Sequence, residues 1–155
     1  MTEEVTDLEL VKPVEKPTYS VISFSASKMP KNYVSLVFSR WLRSLRFGNK
    51  TFRKISSKDY HFQYHKYLEN LMAKPDSTIR FAVLSDDHDV VLGFAVSRED
   101  VLDYMHVHTD YRKIGIGRSL LPQGITTFTH LTVSALCIWQ RDDGKYKHLK
   151  FNPWA

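Results

Sequence analysis

The chain has 155 residues, 43% of them hydrophobic and 25% charged, values of a globular domain with a substantial core and not of a disordered or fibrous chain. No apolar run approaches the ~20 residues a membrane helix needs. The start Met-Thr-Glu-Glu lacks the basic and apolar stretches of a secretion signal, and the single cysteine, Cys137, excludes an intrachain disulfide. A cytoplasmic protein is the expectation, with Cys137 a small core residue. The formal net charge is +5. Five acids (Glu3, Glu4, Asp7, Glu9, Glu15) against two lysines give residues 1–18 a net of −3, leaving +8 on residues 19–155. A basic body suits an anionic ligand or partner, and nucleic acid and an acidic protein both remain open.

Residues 1–18, with Pro13, Pro17 and little periodicity, are expected to form a flexible acidic arm ahead of one domain over 19–155. Tyr19–Ser25 alternates as a strand. Val34, Val37, Phe38, Trp41, Leu42 and Leu45 recur at helical spacing and predict a helix near Asn32–Phe47. A second helix starts near Ser56, where Ser56–Asp59 resembles a capping box; its stripe is Tyr60, Tyr64, Tyr67, Leu68 and Leu71. His61 and His65 sit four apart on it, but without the glutamate of a His-Glu-x-x-His pattern, and no metal is expected. Ile79–Ser85 and Val90–Ser97 read as strands joined by an acidic turn over 86–89. Val101–His108 is the next strand, followed by a helix that opens at Gly117 and is cut short by Pro122 and Gly124. Thr126–Thr132 is β-rich, Val133–Gln140 fits a short helix, and Lys147–Phe151 fits a last strand.

The stretch Tyr104–Leu121 is the most informative. Met105 and Val107 alternate with His106 and His108, and Gly115 and Gly117 then bracket Ile116 at a helix start. Glycines let the backbone turn sharply and approach a ligand, and unpaired amides at a helix start attract phosphate. Arg112, Arg118 and Ser119 would add charge and a hydroxyl. The same pattern also serves a plain strand–turn–helix in which glycine meets geometry alone.

Met105, Val107, Tyr111, Arg112, Gly115, Ile116, Gly117, Leu120 and Leu121 fall in register with motif A of the GCN5-related N-acetyltransferases, the GNAT superfamily, which this chain resembles. Thr109 stands where that motif usually has proline. The resemblance implies an α/β fold with a mixed, mostly antiparallel central sheet and helices on both faces, and acetyl-CoA as co-substrate. It further implies that the turn holds the pyrophosphate and the preceding strand runs along the pantetheine arm. Contacts to acetyl-CoA are then expected from Met105, His106, Val107, Arg112, Lys113, Ile114, Gly115, Ile116, Gly117, Arg118 and Ser119. The ending Phe151–Ala155 is similar to small bacteriophage-encoded members, and the tyrosine-bearing last helix of many members has no counterpart.

Acetyl transfer to an amine needs the amine deprotonated, the oxyanion held and the thiolate released. Asp103, two residues before Met105, is the first candidate for general base by the resemblance, with a simple turn aspartate as the alternative; Asp100 and Glu99 are weaker candidates. His106 and His108 have a suitable proton affinity but would equally serve as hydrogen-bonded strand residues. If Thr129–Thr132 belongs to a strand diverging from the previous one, His130 would bind the acceptor or act as acid or base. Tyr146 is the remaining candidate acid for the thiolate. The acceptor would be an amine on a protein, a small molecule or, as in phage enzymes that modify adenine, a nucleobase. Arg40, Arg43, Arg46, Lys50, Arg53 and Lys54 are compatible with nucleic acid but form no recognition motif. A non-catalytic GNAT-fold binding protein is the other class, and no membrane partner is expected.

Overall fold

The computed structural model describes residues 16–139, 144 and 146–155. Of the arm expected over 1–18 only Lys16–Thr18 fall inside this range, and Gln140 and the side chain of Cys137 fall outside it. Four strands come in an antiparallel run: β1 (Tyr19–Ser25), β2 (Ser77–Leu84), β3 (Val91–Arg98) and β4 (Val101–Val107). Two short strands, β5 (Thr127–Phe128) and β6 (Lys150–Phe151), extend the sheet in parallel, giving the order β1-β2-β3-β4-β5-β6. Among the described residues no helix is long and apolar enough to cross a membrane.

Two long helices cover one face. In α1 (Lys31–Gly48) the predicted stripe buries Val37, Trp41, Leu42 and Leu45. A one-turn helix, α2 (Lys50–Arg53), follows, begun by the Asn49 side chain accepting from the Thr51 and Phe52 amides. The third, α3 (Ser57–Met72), starts where the capping pattern predicts: Ser56 Oγ accepts from the Asp59 amide and donates to its carboxylate at 2.7 Å. Together they close the main core over Ile79, Phe81, Phe94 and Val96. The opposite face carries the short α4 (Ile116–Leu120), whose Ile116 and Leu120 pack on Ala82, Leu92 and Ala95. A fifth helix, α5 (Val133–Trp139), lies beyond β5.

Two departures from the alternating pattern shape the site. First, Val96 faces Tyr104 while Ser97 faces Leu102, so Asp103 is an extra residue in β4, a β-bulge. Unbroken alternation would put Asp103 on the same face as Met105. The bulge shifts the phase: Leu102, Met105 and Val107 join the α4 side, and Tyr104 joins the α1/α3 core. Second, the predicted strands over 126–132 and 147–151 shrink to two residues each. The Thr129 amide still bonds to Leu102 O, but Leu131 O is taken by the Asn49 side chain at 3.2 Å, which draws the chain off the sheet toward the end of α1.

Candidate functional site

The glycine turn closes onto the end of β4. The Arg112 guanidinium donates to Val107 O at 2.9 Å, tying the turn to the strand. Lys113 and Gly115 both have positive φ (66° and 93°), and Gly115 starts α4 in the left-handed region that glycine favours. Gly117 lies against β4: a Cβ there would sit 3.5 Å from Met105 Sδ and 3.9 Å from Val107 Cγ2. Among the described residues no acceptor meets the amides of residues 113–118. Six successive N–H groups are left to an outside acceptor, the arrangement that suits an anion. Ile116 is 1% exposed, so it offers only its backbone. Ser119 is already engaged, bonding Tyr19 Oη at 2.7 Å and Gly115 O at 3.1 Å.

Alongside the cradle, β4 has a vacated edge. It pairs with β5 only at Val101 and Leu102. The His108 amide bonds across to Leu92 O on β3, so ladder alternation turns the Met105 and Val107 amides to the opposite edge, where β5 has already ended. His106 behaves differently from its neighbours. It pairs with Phe94 across the ladder, and its ring lies 5.8 Å from the Phe94 ring on the α1/α3 side, away from that edge. Burial, with the nearby Arg112 and Arg40 charges, pushes the His106 imidazole down to about 4.

At the bulge the structure brings Asp103 and His130 together with Arg98 and Thr129. The Asp103 side chain is fully buried, and both its oxygens are held by Arg98, Nε to Oδ2 at 2.7 Å and Nη2 to Oδ1 at 2.8 Å. Thr129 Oγ1 donates to Asp103 O at 3.1 Å. A carboxylate so enclosed holds the bulge and meets no acceptor amine. His130 Nδ1 lies 2.8 Å from Asp103 O; a carbonyl only accepts, so Nδ1 carries the proton and Nε2 is the basic nitrogen. Rings enclose the imidazole: Trp41 at 5.5 Å, Tyr67 at 5.7 Å, Tyr104 at 5.9 Å and Tyr64 at 6.2 Å. Burial among them lowers the His130 pKa, opposed by the bond to Asp103 O and by the Asp103 charge, and raises those of Tyr64 and Tyr104 to about 12.

The other candidates lie apart. Tyr146 packs with Ile125, Phe128 and Leu149 in a separate small cluster. Glu99 and Asp100 form the β3–β4 turn, where Asp100 is bonded by Thr126; this is the far end of β4 from the cradle, about 20 Å away at strand rise. His108 accepts from the Asp110 amide. His61 bonds Ser57 O and His65 pairs with Glu69. The aromatic enclosure of His130 was invisible to a linear reading, since its members come from α1, α3 and β4; their helical spacing signals burial and nothing more.

No protein-family model matches the chain, and no curated protein does. Among solved structures it is similar to a Pyrococcus furiosus protein described as an acetyl transferase, at 14% identity over 86% of this chain and 80% of that one, with a TM-score of 0.52. It is more distantly similar to the ribosomal-protein-alanine N-acetyltransferase of Brucella melitensis (17% identity, 66% of each chain, TM-score 0.44). An aminoglycoside acetyltransferase from an uncultured soil metagenomic sample (14% identity, 86% of this chain, 75% of that one, TM-score 0.40) is comparable. At such identities the first likeness establishes the fold: the chain is built as the Pyrococcus acetyl transferase is. A mostly antiparallel mixed sheet with helices on both faces is the architecture that the GNAT resemblance implied.

Proposed function

We propose that the protein is an acetyl-CoA-dependent N-acyltransferase acting on an amine. One observation carries this reading: six successive unpaired amides, 113–118, stand at the end of a strand whose outer edge β5 has vacated. The residues fit an acyl-CoA. Amides 113–118, flanked by Arg112, Lys113 and Arg118, hold the diphosphate, and the Val107 amide bonds the amide-bearing arm. When bound, acetyl-CoA supplies the activated acetyl thioester. The Met105 amide, turned to the vacated edge, is the donor for the oxyanion in this reading. His130 Nε2 takes the proton of the incoming amine and hands it on to the departing sulfur; Asp103 O holds the imidazole in the required tautomer, and Arg98 holds Asp103.

A non-catalytic acyl-CoA-binding protein is the second reading, favoured by the pairing of Asp103, the one fully buried carboxylate among the described residues, with Arg98. Calorimetric titration with acetyl-CoA tests both: the wild type binds in the micromolar range typical of such ligands, and Gly117→Trp, which fills the gap between turn and strand, does not. Incubation with acetyl-CoA and a panel of peptides, polyamines, aminoglycosides and nucleosides, followed by intact mass measurement, gives a gain of one acetyl on one class. His130→Gln keeps binding and loses transfer. Binding without transfer to any amine would leave the second reading, and no binding removes both.

A further inference from the structure

The charge of the α1–α3 layer is unbalanced in a way the cradle does not use. Between Glu15 and Asp59 the chain has ten lysines and arginines and no acid. Among the described residues the one ion pair made by a lysine or arginine is Arg98–Asp103, outside this layer, and the contact of His65 with Glu69 lies further along α3. At the join of α1 and α3, on the opposite face of the sheet from α4, is a cleft of about 540 Å³ lined by Arg43, Arg46, Phe47, Ser57 and His61. No carboxylate lines it. Arg46 gives Nη2 to Ile55 O at 3.2 Å, while its buried Nη1 has no acceptor, an expensive state for a guanidinium. Phe47 is 58% exposed at the rim, with Arg53 stacked 6.0 Å from its ring centre. Exposed Lys50, Lys54 and Lys58 continue the positive surface along α2 and the start of α3.

We propose that this cleft binds a phosphate group, and that the cations beside it carry the contact along a chain of phosphates, as in single-stranded nucleic acid. The chemistry is that of two arginines, an imidazole and a hydroxyl lining one cleft that no carboxylate lines, beside an exposed ring on which a base stacks. A lone phosphate uses only the cleft; a strand also uses the lysines, which lie outside it.

The test uses the full chain and three probes: inorganic phosphate, a nucleoside monophosphate, and a fluorescent 12-nucleotide single strand followed by anisotropy from 50 to 200 mM salt. The variants are Arg43→Glu in the cleft and Lys54→Glu outside it, both at exposed positions, with melting curves to confirm folding. For a strand, each substitution weakens binding and flattens the logarithmic salt dependence by about 0.7, the share of one phosphate contact. For a free phosphate or nucleotide, Arg43→Glu alone abolishes binding and Lys54→Glu leaves it unchanged, which supports the cleft with a small ligand. Gly117→Trp, which blocks the cradle, keeps the part of the binding that Arg43→Glu removes, which separates this site from the cradle. No binding of any probe, binding untouched by Arg43→Glu, or loss of that part in Gly117→Trp overturns the proposal.

Discussion

Replacing Arg98 by methionine tests the bulge directly. The substitution keeps a long apolar stem but removes both Arg98 donors from Asp103, whose side chain has no exposure and is left with only the long contact of Thr129 Oγ1 at 3.4 Å. Breaking a buried pair by removing one partner costs about 3–5 kcal/mol. The orphaned carboxylate can escape only by taking a proton. From a free-solution pKa near 3.9 that escape costs about 4 kcal/mol at pH 7 and about 1.5 kcal/mol at pH 5, at 1.36 kcal/mol per unit. The two figures agree near neutrality, so the expected loss at pH 7 is about 4 kcal/mol, or a fall in Tm of roughly 8–16 °C for a chain of this size. The sign is fixed as well. The variant's Asp103 has its pKa raised in the folded state, so the deficit shrinks as pH falls from 7 to 5. Urea denaturation of wild type and Arg98→Met at the two pH values measures it. A loss below about 1 kcal/mol, or a loss equal at both pH values, would show that the ion pair does not carry the bulge.

Three further outcomes are expected. Gly93→Ala destabilises by about 1–3 kcal/mol in denaturant melts, because its Cβ would lie 2.7 Å from His106 O and 3.2 Å from Val107 Cα, both backbone atoms that cannot swing aside; a neutral result would mean that β3 and β4 separate easily. His106, held at about 4 when folded, binds fewer protons than in the unfolded chain between that value and about 6.5. Stability therefore declines as pH drops through this window, and His106→Phe makes the decline shallower in melts from pH 7 to 4; an unchanged slope assigns the decline to other groups. Tyr19→Phe, which breaks the hydroxyl link to Ser119, costs about 1 kcal/mol, and a Tm identical to that of the wild type would show that β1 does not brace α4.

What was legible in the sequence was whatever the backbone needs locally. Gly115 and Gly117 mark a turn no other residue type serves as well, and the structure sets Gly115 at φ 93° and Gly117 against Met105. The stripe Val37-Trp41-Leu42-Leu45 placed α1 within a residue of its ends. The bulge was not legible, because it belongs to the register between two strands and Val101–Val107 alone shows an ordinary strand pattern. Nor was the brevity of β5, which is set by Asn49 of another element seizing Leu131 O. His130 stood out as a histidine in a β-rich stretch, but its tautomer depends on a carbonyl 27 residues earlier in the chain.

The extra residue at 103 also stands as an insertion in the strand. Shortening β4 by that one position would leave Leu102 opposite Ser97 and Tyr104 opposite Val96 in a plain ladder, with Met105 and Val107 still on the α4 side and Tyr104 still on the side of the long helices. Deletion at this point is therefore a different lesion from a replacement: a substitution at 103 keeps the bulge and loses only the carboxylate, whereas a deletion irons the bulge out and leaves both sides of the strand that leads into the turn as they are.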